Sequence, residues 1–345
     1  MKTICICGGG SLGHVVAGWL SSRKHAYVNI LTNHPEKWSE NIVIDTPEGS
    51  RLYGEISNIS NNPADVIPSS DVILLCLPGF LIKKELIRIK PFISNRAFIG
   101  SVFSSTGFFF EAKEIFDEKQ PLWGFQRVPF ISRVNEYGKS AHLLGFKDEY
   151  KIAIENVSDE DQGIFVSIIQ EWFERPVRLL KNYYEASLTN SNPLLHTSRL
   201  YTMFGGENEG KIYTRIPLFY EEWTEAAAEL YIKMDEEFFR LLKVLPVSEG
   251  FLPTALDYYE SYDAKSLAAK LSSIQGFKGI ASPVIQTHGE GYLPDFESRY
   301  FTEDFPYGLK YIWQLAHENN ISCPNIDLVY EWGMSKISNS TKWHN

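Results

Sequence analysis

A doubly wound, mainly parallel α/β sheet followed by an all-α second half is the fold class this 345-residue sequence predicts. Three observations carry that prediction. An apolar strand pattern runs straight into a cluster of glycines between residues 3 and 13. Continuous apolar runs then alternate with helical stretches as far as residue 180, the pattern of parallel strands covered on both faces. Beyond that point apolar residues recur at helical spacing. The length suits two domains, residues 1–180 and 181–345, each large enough to bury its own core.

The elements follow in order. Thr3 to Cys7 is the first strand, and after Gly8-Gly9-Gly10-Ser11-Leu12-Gly13 the stretch His14 to Ser22 reads as a helix burying Val15, Val16, Trp19 and Leu20. Tyr27 to Thr32 is a second strand, Asp71 to Leu77 a continuous buried one stopped by Pro78-Gly79, and Ala97 to Gly100 another. Gly124 to Phe146 holds short strand-like pieces, and Tyr150 to Glu155 alternates like an edge strand. An acidic start marks a helix over Asp159 to Phe173, and Pro176 to Leu180 is the last strand. Trp223 to Leu245, Ser266 to Ile274, Tyr307 to Glu318 and Asn325 to Ile337 supply the helices of the second half.

Composition narrows the function. The chain is 44% hydrophobic and 22% charged, as folded globular proteins are. A net charge of -10 without a basic stripe argues against a nucleic-acid partner. The longest apolar stretches are far shorter than a membrane span, and the first residues form a strand pattern rather than a signal peptide, so a cytoplasmic location is expected. Cys5, Cys7, Cys76 and Cys323 show no metal-ligand spacing and are read as buried reduced thiols, with no metal site expected.

Gly8, Gly10 and Gly13 have the G-x-G-x-x-G spacing between a strand and a helix. The first glycine allows a tight turn, the second lets the backbone approach a pyrophosphate, and the third lets helix and strand pack closely. The pyrophosphate then lies at the positive helix N-terminus, where Ser11 and Leu12 present their backbone. These features together predict a Rossmann domain binding NAD or NADP. At the end of the second strand, where a carboxylate takes the ribose hydroxyls in NAD sites, stand Thr32, Asn33 and His34, with Lys37 nearby. An uncharged Asn33 and a neighbouring cation tilt the expectation toward NADP. Leu77 and Pro78, at the carboxyl end of a strand, should border the same cofactor site.

A nucleotide domain says nothing of the substrate, so chemistry is sought in the other half. Asn192 can cap a helix with Pro193 at its first position, or Pro193 can kink a continuous helix; in both cases His196 sits among polar residues. The second segment, Ser298-Arg299-Tyr300-Phe301-Thr302-Glu303-Asp304-Phe305-Pro306-Tyr307-Gly308-Leu309, packs charges between aromatics. Its bland reading is helix capping by Glu303 and Asp304 and a surface ion pair at Arg299.

The glycine turn, the Leu188-Thr189-Asn190 to His196 arrangement and the Ser298 to Leu309 arrangement together resemble the opine (octopine-type) dehydrogenase family. Phe125 to Lys147, Leu256 to Tyr262 and Gly276 to Pro283 fit it too. The resemblance implies a Rossmann domain plus an all-helical domain, and an enzyme that joins an α-keto acid to the amino group of an amino acid and reduces the imine with NAD(P)H. It implies that His196 is the general acid/base, that Asp304 orients and charges it, and that Arg299 holds a substrate carboxylate. Those roles suit the groups: histidine titrates near neutrality and a guanidinium grips a carboxylate with two hydrogen bonds. Asn190 is read as a cofactor contact, and Asn192, Gln126 and Arg133 as substrate contacts, with helix capping the alternative for the two asparagines. The expected partners are small molecules, with self-association into a homodimer left open. The rival readings are a ketopantoate-reductase-like or other 2-hydroxy-acid dehydrogenase, and a non-enzymatic NADP sensor.

Overall fold

The computed structural model describes residues 2–340 except 288 and 290, and it divides into two compact units, Met1–Thr189 and Asn190–Asn345. In the first unit the elements are β1 (Lys2–Cys7), α1 (Ser11–Ser22), β2 (Ala26–Leu31), β3 (Asn41–Asp45), β4 (Arg51–Glu55), β5 (Asn58–Ser60), α2 (Pro63–Val66), β6 (Val72–Leu75), α3 (Gly79–Ile89), β7 (Phe98–Ser101), α4 (Phe108–Ile115), β8 (Leu122–Phe125), β9 (Phe130–Glu136), β10 (Ser140–Phe146), β11 (Tyr150–Glu155), α5 (Asp159–Phe173), β12 (Val177–Leu179) and α6 (Tyr183–Ser187). The main sheet has eight strands in the order β12-β11-β8-β7-β6-β1-β2-β5, and every pairing is parallel except β8 with β11. Both faces are covered, so Ile4 to Cys7 and Val72 to Leu75 are buried without alternation.

Two features depart from the expected order. Tyr150–Glu155 is an interior strand, not an edge, because Val177–Leu179 adds in parallel outside it. A second sheet, β4-β3-β10-β9, was not foreseen. It packs on the face of α1 that points away from the main sheet, which is why α1 has no solvent face and buries everything from Gly13 to Ser21. Burying that many apolar side chains contributes on the order of 2 kcal/mol each. It also explains Gly54, where an added Cβ would strike Ser21 and approach the Gly18 carbonyl.

The second unit holds α7 (Asn192–Phe204), α8 (Glu225–Leu242), α9 (Ala255–Tyr258), α10 (Ala264–Ser273), a short hairpin of β13 (Val284–Gln286) and β14 (Tyr292–Pro294), α11 (Arg299–Thr302), α12 (Lys310–Glu318) and α13 (Pro324–Ser340). The expected boundary near residue 180 differs from this division because α6 packs on β11 and β8 of the main sheet. The long helix α8 starts where the Thr224 side chain accepts the Ala227 N–H, and it buries Ala227, Ala228, Tyr231, Met234, Phe238 and Leu241 against its neighbours. Buried Glu237 accepts the N–H groups of Asn325 and Ile326 at 3.0 and 2.9 Å, capping α13 from α8. No helix among the described residues is long and apolar enough to cross a membrane.

Candidate active site

The glycine turn has the backbone its spacing anticipates. Gly8 has φ +118°, and a Cβ there would lie 2.6 Å from the Cys76 carbonyl oxygen and 2.9 Å from the Leu77 side chain, so Leu77 and the turn are in contact. A Cβ on Gly13 would collide with the Gly8 carbonyl, which is the close helix-to-strand approach assigned to the third glycine. Gly10 is different. It is the N-cap of α1, makes no side-chain cap, and has open space where a Cβ would stand. The first turn of α1 carries no acidic residue, so Ser11, Leu12 and Gly13 form a bare, positively polarised helix end. That is the donor arrangement a dinucleotide pyrophosphate needs. Pro78 is the N-cap of α3 beside Leu77.

Two contacts at the turn were not legible in the sequence. Tyr137, between β9 and β10, has its hydroxyl where a Cβ on Gly9 would fall, and it lies 3.4 Å from the Thr32 hydroxyl. His14 is fully buried, with Nδ1 2.9 Å from the Gly10 carbonyl and Nε2 accepting the Gly138 N–H at 2.6 Å. These partners fix the neutral tautomer, because a carbonyl can only accept and an amide N–H can only donate. Burial holds the His14 pKa below its usual value, partly offset by the Gly10 hydrogen bond. At the end of β2, Asn33 is exposed, and Glu36 stands 3.4 Å from His34. An acid thus accompanies the Lys37 cation considered from sequence.

In the second unit His196 and Asp304 meet. His196 lies on α7 and is 8% exposed, and its Nδ1 is 2.8 Å from Asp304 Oδ2. The bland capping reading of Asp304 is overturned, since its side chain makes no cap. Asp304 instead lies just past α11 and leads into a π-helical turn, Phe305–Leu309, in which its carbonyl accepts the Leu309 N–H. Such one-turn widenings are common at functional sites. Gly308 lets this turn reach α7, as a Cβ there would be 2.6 Å from Pro193. Arg299, which opens α11, is exposed and has no ion-pair partner among the described residues, contrary to the surface-pair reading.

The start of α7 is shifted from expectation. Ser191 is its N-cap, Asn192 its first residue and Pro193 its second, because the Asn190 side chain accepts the Asn192 N–H at 3.3 Å and turns the chain one residue early. Gln126 and Arg133 lie in the first unit. Gln126 Nε2 donates to the Glu185 carbonyl, and Arg133 is exposed on β9.

Sequence reasoning also missed what surrounds His196. Its Nε2 is 2.6 Å from the Tyr220 hydroxyl, and Phe219 and Tyr300 stand edge-on to the ring at 5.5 and 4.9 Å. The Asp304 carboxylate accepts from Nδ1–H, so in the neutral ring Nε2 accepts from the Tyr220 O–H. Burial, then the Tyr300 and Tyr259 phenols and the Asp304 charge, push the Tyr220 hydroxyl well above its ordinary range. Arg199 is buried one turn along α7 and donates to the carbonyls of Phe219 and Glu222 at 3.1 and 2.7 Å. Desolvation pushes its guanidinium down to about 10. The signal available was weak: an arginine three residues past His196 and a Leu-Phe-Tyr run carry no motif by themselves.

All four cysteines are buried thiols. Cys323, however, is not isolated: with His317 and Asp327 it puts possible ligand atoms within 4.8 Å of one another. Asp327 Oδ1 there already accepts from Trp313 Nε1 at 2.9 Å and lies 2.7 Å from His317 Nε2, so the group is a hydrogen-bonded staple between α12 and α13. Burial and the Asp327 charge push the Cys323 thiol up to about 12.

Comparison with known proteins agrees with this organisation. Residues 179–337 match the family described as NAD/NADP octopine/nopaline dehydrogenase, alpha-helical domain. Octopine dehydrogenase of Mizuhopecten yessoensis is 24% identical over 97% of this chain and 90% of its own length. Tauropine dehydrogenase of Arabella iricolor is 27% identical over 96% of this chain and 90% of its own. A solved structure of octopine dehydrogenase with NADH and L-arginine superposes with a TM-score of 0.83, at 24% identity, over 98% of this chain and 90% of that one, which establishes the shared fold. The helical half thus matches the octopine/nopaline dehydrogenase alpha-helical domain, and nearly the whole chain is similar to octopine and tauropine dehydrogenases.

Proposed function

We propose that the protein condenses an α-keto acid with the amino group of an amino acid and reduces the product imine, with His196 as general acid/base. The observation that carries this reading is the His196–Asp304 pair, a buried imidazole bonded to a carboxylate, with the Arg299 guanidinium, which has no ion-pair partner among the described residues, on the short helix before Asp304. The substrates named for relatives, arginine and pyruvate among them, are small molecules of the two required classes.

The amine of an amino acid is an ammonium at neutral pH and cannot attack until it loses a proton. His196 takes that proton, and Asp304 stabilises the resulting imidazolium. The same proton then goes to the carbinolamine hydroxyl, which leaves as water and gives the imine. Arg299 holds the keto-acid carboxylate through two parallel N–H donors, fixing which face of the carbonyl is presented. Gly8, Gly10, Ser11, Leu12 and Gly13 would hold NAD(P)H at the bare end of α1, and the cofactor would supply the hydride that the imine carbon takes. Asn33 and Lys37 incline the site to NADP, with Glu36 opposing them. Asn190, Asn192, Gln126 and Arg133 remain proposed contacts of cofactor or substrate, in an enzyme that works in the cytoplasm.

Reduction of a carbonyl without an amine is the competing chemistry, and the test separates the two. NADH and NADPH oxidation is followed with a panel of keto acids, pyruvate included, each with and without amino acids. The proposal expects turnover only when both are present, and a His196→Ala variant slower by about 100-fold with unchanged cofactor affinity. Turnover that ignores the amine would replace this reading by the 2-hydroxy-acid one.

A further inference from the structure

Both ring nitrogens of His196 are occupied. Nδ1 is bonded to Asp304 at 2.8 Å and Nε2 to the Tyr220 hydroxyl at 2.6 Å. An imidazole nitrogen has one lone pair or one N–H, hence one strong partner. A substrate therefore has no free ring nitrogen to bond, unless Tyr220 is displaced or stands in the path. Displacement is opposed by everything around it. The Tyr220 ring is stacked on Phe277 at 4.0 Å, and Ser272 holds its carbonyl at 3.2 Å. Arg199 clamps the carbonyls of Phe219 and Glu222 on either side of it, and the Phe219 N–H is bonded to Ile280. Since Arg199 and His196 share α7, the phenol and the imidazole are held from one helix.

We propose that Tyr220 is a catalytic residue whose hydroxyl carries the proton between substrate and His196, making Asp304, His196 and Tyr220 a three-group relay. The assignment rests on His196 being the acid/base. A phenol oxygen donates one hydrogen and accepts on its lone pairs, so it can receive a proton from the substrate ammonium while passing its own to Nε2. For release the two transfers reverse: Nε2–H returns its proton to the phenol oxygen as the phenol proton goes to the leaving hydroxyl. Tyr220 ends each step neutral, and no proton is gained or lost overall. A hydroxyl held above its ordinary range suits this, because it does not ionise between steps.

Tyr220→Phe removes the oxygen and keeps the stacked ring. With pyruvate and the amino acid that gives the fastest NAD(P)H oxidation, kcat should fall about 100-fold while the KM for pyruvate and the cofactor Kd barely move. A proton inventory in mixtures of light and heavy water should lose one exchanging proton. An unchanged kcat and inventory would take Tyr220 out of the path, and a raised kcat would make its hydroxyl a mask over Nε2; either overturns the relay. If the variant melts early, fluorotyrosine at position 220 replaces it, with kcat expected to track phenol acidity and independence from acidity counting against the relay. His196→Ala measured alongside separates the two ideas. An active His196→Ala enzyme defeats the acid/base reading itself, whereas an inactive one beside a normal Tyr220→Phe defeats only the relay.

Discussion

Replacing Asp304 by Asn removes a charge while keeping size and an acceptor oxygen, so it isolates the electrostatic part of the His196–Asp304 contact. The side chains are 10% and 16% exposed, so water screens the pair little. A hydrogen bond to a charged group at 2.8 Å contributes about 1.5–3 kcal/mol. That support is felt most when the ring is an imidazolium, during proton transfer. At about 1.4 kcal/mol per tenfold, kcat should fall by roughly 10- to 100-fold. The amide can also rotate to present its NH2 and select the wrong tautomer, which adds to the loss. The Asp304 side chain makes no capping hydrogen bond, so melting temperature should change little. Steady-state kinetics in both substrates and thermal melting of the two proteins make the test. A kcat within about twofold of the parent, or a loss confined to the keto-acid KM, would refute the reasoning.

Arg299→Lys keeps the charge and loses the fork, so the KM for keto acid should rise several-fold with kcat nearly constant; an unchanged KM assigns the carboxylate to another residue. Gly10→Val puts a side chain into open space at φ -82° and ψ -179°, a conformation valine accepts, so the fold should stand while cofactor titration shows much weaker binding. Intact affinity there would mean that nothing binds at the turn. His14 makes a pH prediction. Burial lowers its folded pKa, so on acidification the unfolded chain takes the proton first, and its stabilising effect is present above the ordinary value of about 6.5 and is lost as pH falls through the folded one. Urea unfolding at about pH 8 and about pH 5 should show a decline that His14→Gln makes shallower, and equal slopes would remove His14 as its source.

The strands and helices were legible where one physical rule governs a segment. Val72 to Leu75 must be buried on both faces to be wholly apolar, and apolar residues at helical spacing from Trp223 to Leu245 mark α8. The second sheet escaped because its strands are short and its pairing joins residues 41–55 to residues 130–146, a contact no local pattern encodes. Tyr137 over the glycine turn and Gly138 on His14 are consequences of that pairing. The one-residue error at α7 had a local cause: three successive candidates, Asn190, Ser191 and Asn192, compete to cap it, and propensity does not rank them.

The sequence by itself determined a glycine turn between strand and helix, a parallel sheet, a helical second half and the candidates His196, Arg299 and Asp304, since spacing and residue chemistry are properties of the chain. Only the tertiary structure decided what each candidate does with its polar atoms. The sequence offered Asp304 both as a helix cap and as a partner of His196; in the fold its carboxylate lies 2.8 Å from His196 Nδ1, with Gly308 permitting the close approach of its turn to Pro193. Tyr220 carried no signal at all. Its place at Nε2 goes with buried Arg199, whose donors are satisfied on the carbonyls of Phe219 and Glu222 to either side of the phenol. Hydrogen-bond satisfaction in a buried site is a property of the packed fold, where each donor takes the acceptor that three-dimensional proximity offers, and sequence separation does not limit that choice.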